Sequence, residues 1–270
     1  MRALRHLWML VVLAGMTAGL SAASTNEPAL PTLVEIFPKV VERAKQETEN
    51  DRQFQLNYIF VLSKLMEFRN GDGDLKKHEA KVFTNYPAIK RQREKSAKPP
   101  PPRKNEPVSE THSNVRGKQF DENDFAVSSN LVTRFDFKLI GRVQLNQRPT
   151  LIIDFEPKKG KLPERNLKDK FINKAAGRVW LDEADYAISK VDLRLTDRVN
   201  VLGGLVGAIW KFTYQFERDR LPDGLWFTRD ETWHLEGREV IFTRVVDFHG
   251  ERTAVQKEKP AASETETAGR

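Results

Sequence analysis

At 270 residues the chain is long enough to bury a core of its own. It contains no cysteine, which excludes disulfides, thiolate metal sites, cysteine nucleophiles and a lipidated N-terminal cysteine. Its 45 basic and 38 acidic residues leave a formal net charge of +7, and no helical or sheet motif presents those charges to a nucleic-acid groove, so nucleic acid is excluded as a partner.

Arg2 and Arg5 precede an apolar run from Leu7 to Leu20 and the small residues Ser21, Ala22 and Ala23. That order of parts predicts a signal peptide over 1–23, cut after Ala23, and a soluble periplasmic or secreted mature protein. The apolar run is shorter than the roughly 20 residues a membrane-spanning helix needs.

Thr32 and Glu35 have capping-box spacing, and Leu33, Ile36, Phe37, Val40, Val41 and Ala44 form one helical stripe. Pro38 within it predicts a kink or marks the first turn. From Gln53 the period changes to two, with Phe54, Leu56, Tyr58, Phe60 and Leu62 alternating with other residues, which predicts a strand. The run Asn70-Gly71-Asp72-Gly73-Asp74 is turn chemistry, and Leu75 to Tyr86 is its hairpin partner.

Apolar content collapses between about Pro87 and Asn130, where Pro99 to Pro102 stand in series, so a disordered insert is expected within a single domain over 24–250. Basic residues cluster at Lys90 to Lys104 and Lys158 to Lys170. These are read as solvated loops, with attraction to an anionic membrane surface as the functional alternative.

The rest alternates as strands. Phe135, Phe137 and Leu139 are followed by Leu151, Ile153 and Phe155, then Arg178 to Asp182, and then Val191, Leu193 and Leu195. Trp210, Phe212, Tyr214 and Phe216 come next, and Leu225 to Glu236 and Glu239 to His249 complete the series after the Pro222-Asp223-Gly224 turn. The polar stretch 251–270 reads as a disordered tail. The fold class expected is mainly β (α+β): about nine strands joined up-and-down in one large curved antiparallel sheet, an unclosed barrel covered by the N-terminal helix. Charges on both faces of single strands, such as Arg229 with Asp230 and Arg244 with Asp247, argue against an outer-membrane barrel.

The chemistry is sparse. His78, His112, His234 and His249 lack partners at metal-ligand spacing, and no phosphate loop or nucleophile elbow occurs. Asp182, Glu183 and Asp185 cluster at a turn, where aspartate is favoured for backbone reasons. No enzyme activity, cofactor or metal is expected. Trp180, Trp210, Trp226 and Trp233 all fall in the C-terminal sheet, as core or as the walls of a cavity.

The segment Ala176-Gly-Arg-Val-Trp-Leu-Asp-Glu-Ala-Asp-Tyr-Ala-Ile-Ser-Lys-Val191 resembles the sheet-centre hairpin of the periplasmic lipoprotein-sorting (LolA/LolB-like) superfamily. The resemblance extends over Phe135 to Phe248 and more loosely to the first helix and hairpin. It implies an unclosed barrel with helices over its mouth and an apolar cavity for the acyl chains of lipoproteins. Related domains in envelope-stress regulators sense lipidated or misfolded proteins. The basic insert and the lack of an anchoring cysteine depart from that pattern and leave the cargo open.

These readings give a non-catalytic envelope carrier or sensor for an acyl chain, a lipid or a lipoprotein. Its expected cavity residues are Phe137, Ile153, Val191, Leu193, Leu195, Trp210, Phe212, Tyr214, Phe216 and Phe227, under a lid of Val201, Leu202, Gly203, Gly204, Leu205 and Val206. The alternative is a structural or regulatory interaction domain with a solid core and an envelope protein as its partner.

Overall fold

The computed structural model describes residues 28–96, 129–201, 204 and 207–259. The chain divides into Met1–Leu30, of which only 28–30 are described and lie outside any helix or strand, and Pro31–Arg270, which carries the fold. The expected signal peptide lies outside the described residues, as do 97–128 of the expected insert and 260–270 of the expected tail.

Helix α1, Leu33–Ala44, begins where its capping box predicts. The Glu35 amide donates to Thr32 Oγ1 at 3.4 Å, and the Thr32 amide donates to Glu35 Oε2 at 2.7 Å. It runs on through Pro38, and its stripe buries Ile36 and Val40. Helix α2, Glu47–Asn57, corrects the strand expected from Gln53, because strand β1, Tyr58–Asn70, begins five residues later. A tertiary contact overrides the local alternation. Asn50 is buried one turn before Phe54, and its side-chain amide bonds both backbone groups of Trp226, at 2.7 and 2.9 Å. Phe54 then stacks on Phe60 and Phe227 at 4.8 and 5.1 Å.

Strand β2, Leu75–Asn85, pairs with β1 as the hairpin reading predicts. Helix α3, Pro87–Ser96, corrects the start of the insert. Proline suits the first helical position, and Arg91 ties the helix down by donating to the Leu56 carbonyl at 2.5 Å and by pairing with Glu258. After the short helix α4, Ser129–Val132, come β3, Phe135–Leu145, and β4, Arg148–Pro157. Helix α5, Leu167–Ile172, capped by Asn166, follows. It replaces the end of the loop expected over Lys158 to Lys170.

The remaining strands are β5, Ala175–Asp182; β6, Ile188–Leu195; β7, Val199–Val201; β8, Gly207–Arg220; β9, Trp226–Glu239; and β10, Phe242–Lys257. Strand β10 extends into the expected tail, where Tyr58↔Lys257 pairing with β1 supplies the ladder that a polar sequence does not advertise.

All the strands belong to one antiparallel ten-stranded sheet in the order β2-β1-β10-β9-β8-β6-β5-β4-β3, with β7 paired to β8. Its two edges, β2 and β3, do not meet, so the barrel is unclosed. Strand β2 is exposed along nearly its whole length and carries Lys76, Lys77 and Lys81, charges that oppose edge-to-edge association.

Strand alternation sorts the two faces. The row Phe137-Phe155-Gly177-Leu193-Tyr214-Trp233-Phe248-Met66 crosses eight strands on the apolar face, which packs α1 and α5. The opposite face is charged. Arg178 pairs with Asp154 at 2.5 Å, and Glu236 accepts from Lys211 at 2.6 Å and lies 2.8 Å from His234 Nε2.

Lys211, and then His234, hold the Glu236 carboxyl down from its ordinary 4.5 to about 2. A carboxylate depressed on folding stabilises above its unfolded value and loses that contribution as protons bind the native state. The urea midpoint should therefore fall between pH 4.5 and about pH 2, and fall less steeply in Glu236→Gln. Identical slopes in the two proteins would refute the assignment.

Candidate functional site

Between α1, the start of α2, α4, α5 and the apolar face of β3–β6 and β8 lies a cavity of about 220 Å³. Strand register builds its floor. Ile153, Val179, Val191 and Phe216 form one continuous cross-strand row, and Phe155, Gly177, Leu193 and Tyr214 form the next. The α1 stripe closes one side with Phe37 and Val40, and Phe37 lies 4.6 Å from the Phe137 ring. Leu131 and Val132 of α4 and Ile172 of α5 close another. The buried pair Arg134–Asp169, at 2.8 Å, joins the segments that carry these two short helices.

The polar groups gather at one end. Arg43, Glu47, Thr48 and Asp51 reach the cavity from the helices, and Arg218 reaches it from β8. Arg218 donates to Glu47 at 2.6 Å, and Arg43 lies 3.6 Å from the same carboxylate. Tyr186, in the turn between β5 and β6, also lines the cavity and accepts a 2.9 Å hydrogen bond from Lys39 of α1. On the β9 side the row that contains Phe216 turns polar at Glu231, which accepts from the Tyr214 hydroxyl at 3.2 Å. Among the described residues, the cavity lining takes none from β9, β10, β1 or β2.

Of the residues expected to line a cavity, Phe137, Ile153, Val191, Leu193, Tyr214 and Phe216 do so. Phe212 is buried in the main core against Phe171 at 4.9 Å, and Leu195 packs on the same cluster. Phe227 lies under α2 with Phe54. Trp210 sits at a β-bulge, where the β8–β9 register shifts between Ile209 and Lys211, and is half-buried away from the cavity.

Of the expected lid, Val201 pairs with Gly207, and Gly204, at φ +92°, accepts from Arg238 at 2.9 Å. Leu202, Gly203, Leu205 and Val206 lie outside the described residues. Gly207 is seven residues along β8 from Tyr214, or about 23 Å at strand rise. Among the described residues, the elements that cover the cavity are the helices. Phe37 and Val40 belonged to a helical stripe visible in the sequence, and Phe155 and Leu181 to strands already read. Arg218 carried no signal, because its strand bulges between Glu217 and Arg218.

The clustered carboxylates are each engaged in holding the hairpin. Asp182 takes Arg148 at 2.5 and 2.9 Å, Glu183 takes Arg142 at 2.6 Å, and Asp185 accepts from Arg220 at 2.5 Å and from the Trp226 indole at 3.0 Å. Among the described residues, no group of three or more His, Cys, Asp or Glu could hold a metal ion, and no helix is long and apolar enough to cross a membrane.

No family model matches the chain, and no curated protein matches it. Solved structures do. A Desulfovibrio piger DUF1329 family protein aligns over 84% of this chain and 95% of its own at 12% identity and a TM-score of 0.30. A Vibrio parahaemolyticus domain assigned to outer membrane lipoprotein sorting aligns over 82% and 95% at 12% identity and a TM-score of 0.29. A LolA superfamily protein from Nitrosomonas europaea aligns over 84% and 95% at 8% identity and a TM-score of 0.27.

Proposed function

We propose that the chain is a soluble carrier or sensor of the cell envelope that holds one acyl chain in the cavity under α1 and performs no covalent chemistry. The observation that carries this reading is the cavity itself. Its floor is aliphatic and aromatic, and its charged groups stand at one end, the arrangement an amphiphile needs. The sequence resemblance and the signal-like N-terminus support the envelope assignment.

Size limits the cargo. An engineered cavity of about 150 Å³ holds benzene, and scaling from that, this one takes on the order of nine carbon atoms. A single medium-length tail fits, whereas the several chains of a lipoprotein require α1 and α2 to move. Burying about nine methylene groups is worth roughly 7 kcal/mol before the costs of immobilisation. That gain alone corresponds to a dissociation constant of about 10 micromolar, so the expected constant is weaker than this by the immobilisation cost.

Decan-1-ol, which has no charge, is the direct probe. By isothermal titration calorimetry it should bind the wild type with a negative heat-capacity change. Leu193→Trp should abolish binding while retaining cooperative unfolding, because the indole fills a void. If the wild type does not bind decan-1-ol, or Leu193→Trp binds it equally well, the cavity is no ligand site.

A further inference from the structure

We propose that the cavity selects amphiphiles whose head is a carboxylate, held by Arg218 and Arg43 in the place that Glu47 occupies. This rests on the acyl-chain reading and adds the chemistry of the head. Along β8 the cavity wall passes from Tyr214 and Phe216 directly to Arg218, so a tail lying on the aromatic residues brings its first carbon to a guanidinium. The Arg218 side chain is 6% exposed and that of Arg43 is 15% exposed. An arginine does not shed its proton, so a buried one requires an anion at all times.

Glu47 is that anion, placed 2.6 Å from Arg218 and 3.6 Å from Arg43. It is the most exposed of the three, at 24%, and it heads α2 on a flexible side chain, so it can turn to water while the arginines cannot follow. Asp51, the other carboxylate on the lining, sits one turn further along α2 and accepts from Asn50 at 3.1 Å. A carboxylate head entering with its tail on Phe216 takes over the Glu47 ion pairs and satisfies both guanidinia, with no covalent bond made or broken. Glu47 is therefore a tethered competitor.

That competition makes an unusual expectation: deleting a charge at the site strengthens binding. Calorimetry would compare decanoate, decan-1-ol and decylammonium, which share one tail, on wild type, Glu47→Gln and Arg218→Gln. Glu47→Gln should raise the affinity for decanoate relative to that for decan-1-ol about tenfold, since a tethered competitor acts at millimolar effective concentration. Arg218→Gln should weaken decanoate about 10- to 100-fold, the range for a charge-assisted hydrogen bond, with a much smaller effect on decan-1-ol. If one of the two variants does not fold, the other decides the matter, and the order of decanoate and decylammonium on wild type decides it without either. Decan-1-ol binding with no decanoate gain in Glu47→Gln, or decylammonium binding more tightly than decanoate to wild type, overturns the inference and leaves the cavity standing. No decan-1-ol binding at all removes the acyl-chain reading itself.

Discussion

Gly177→Ala should lower the stability of the protein by about 3 kcal/mol or more, whereas Gly141→Ala, another glycine-to-alanine change within a strand, should leave it unchanged or raise it by up to about 1 kcal/mol. A Cβ on Gly177 would lie 2.1 Å from the Asp192 carbonyl oxygen and 3.0 Å from Leu193 Cα. Both neighbours are backbone, so no side chain can rotate away. Relief requires β5 and β6 to separate, and their ladder from Ala175↔Leu195 to Leu181↔Ile188 joins β5, β4 and β3 to the rest of the sheet. At Gly141 the added methyl meets nothing within 4 Å, and its main effect is to restrict the unfolded chain. Urea unfolding with an unchanged slope measures both. If the two midpoints lie within error of each other, the β5–β6 register described above is wrong.

The sheet was legible because its strands are half-buried, so alternation records which residues face the core. Val191, Leu193, Tyr214 and Phe216 illustrate this: their spacing alone placed them on one face, and the register then brought them together. The alternation misled at Gln53 to Asn57, where a period of two fell inside α2. There the helix is decided by Asn50, whose amide reaches Trp226 from 176 positions away in the chain. Trp210 misled for the opposite reason, since a bulge breaks the phase of its strand without leaving a turn signal. The end of β10 went unread because residues 251–257 carry little apolar surface, and their order comes from pairing with β1.

The site was half legible. Its floor follows from strand phase, but its cover does not. α5 lies at the end of a basic stretch that reads as a loop, although Asn166 three residues before Asp169, followed by the buried Phe171 and Ile172, was a usable helix-start signal. The charged end needs three distant residues at once. Arg43, Glu47 and Arg218 belong to two helices and a bulged strand, and nothing in the spacing of any one of them announces the others.

Asp182→Ala should cost about 2–4 kcal/mol, chiefly because two backbone amides lose their acceptor, while the partly exposed Arg148 loses less. Asp182 is 1% exposed and holds the β5–β6 turn together. One carboxylate oxygen accepts from the Ala184 and Asp185 amides at 3.1 and 2.8 Å, and the two oxygens together take Arg148 at 2.5 and 2.9 Å. Alanine leaves two amides without their acceptor and leaves Arg148 with Asp185, 3.5 Å away, and the Trp226 ring, 5.8 Å away. Asp182→Asn keeps an acceptor for the amides and should therefore lose less. The damage should also reach the cavity. The turn presents Tyr186 at φ +54°, a conformation costly for a bulky residue and held here by the surrounding bonds, and Tyr186 both lines the cavity and receives Lys39 from α1. Decan-1-ol affinity in Asp182→Ala should thus fall even at temperatures where the protein stays folded, and a double-mutant cycle with Arg148→Ala should show strong coupling. A stability within about 1 kcal/mol of wild type would mean that the turn holds its shape without this carboxylate, and that the acidic cluster has some use other than the one assigned to it.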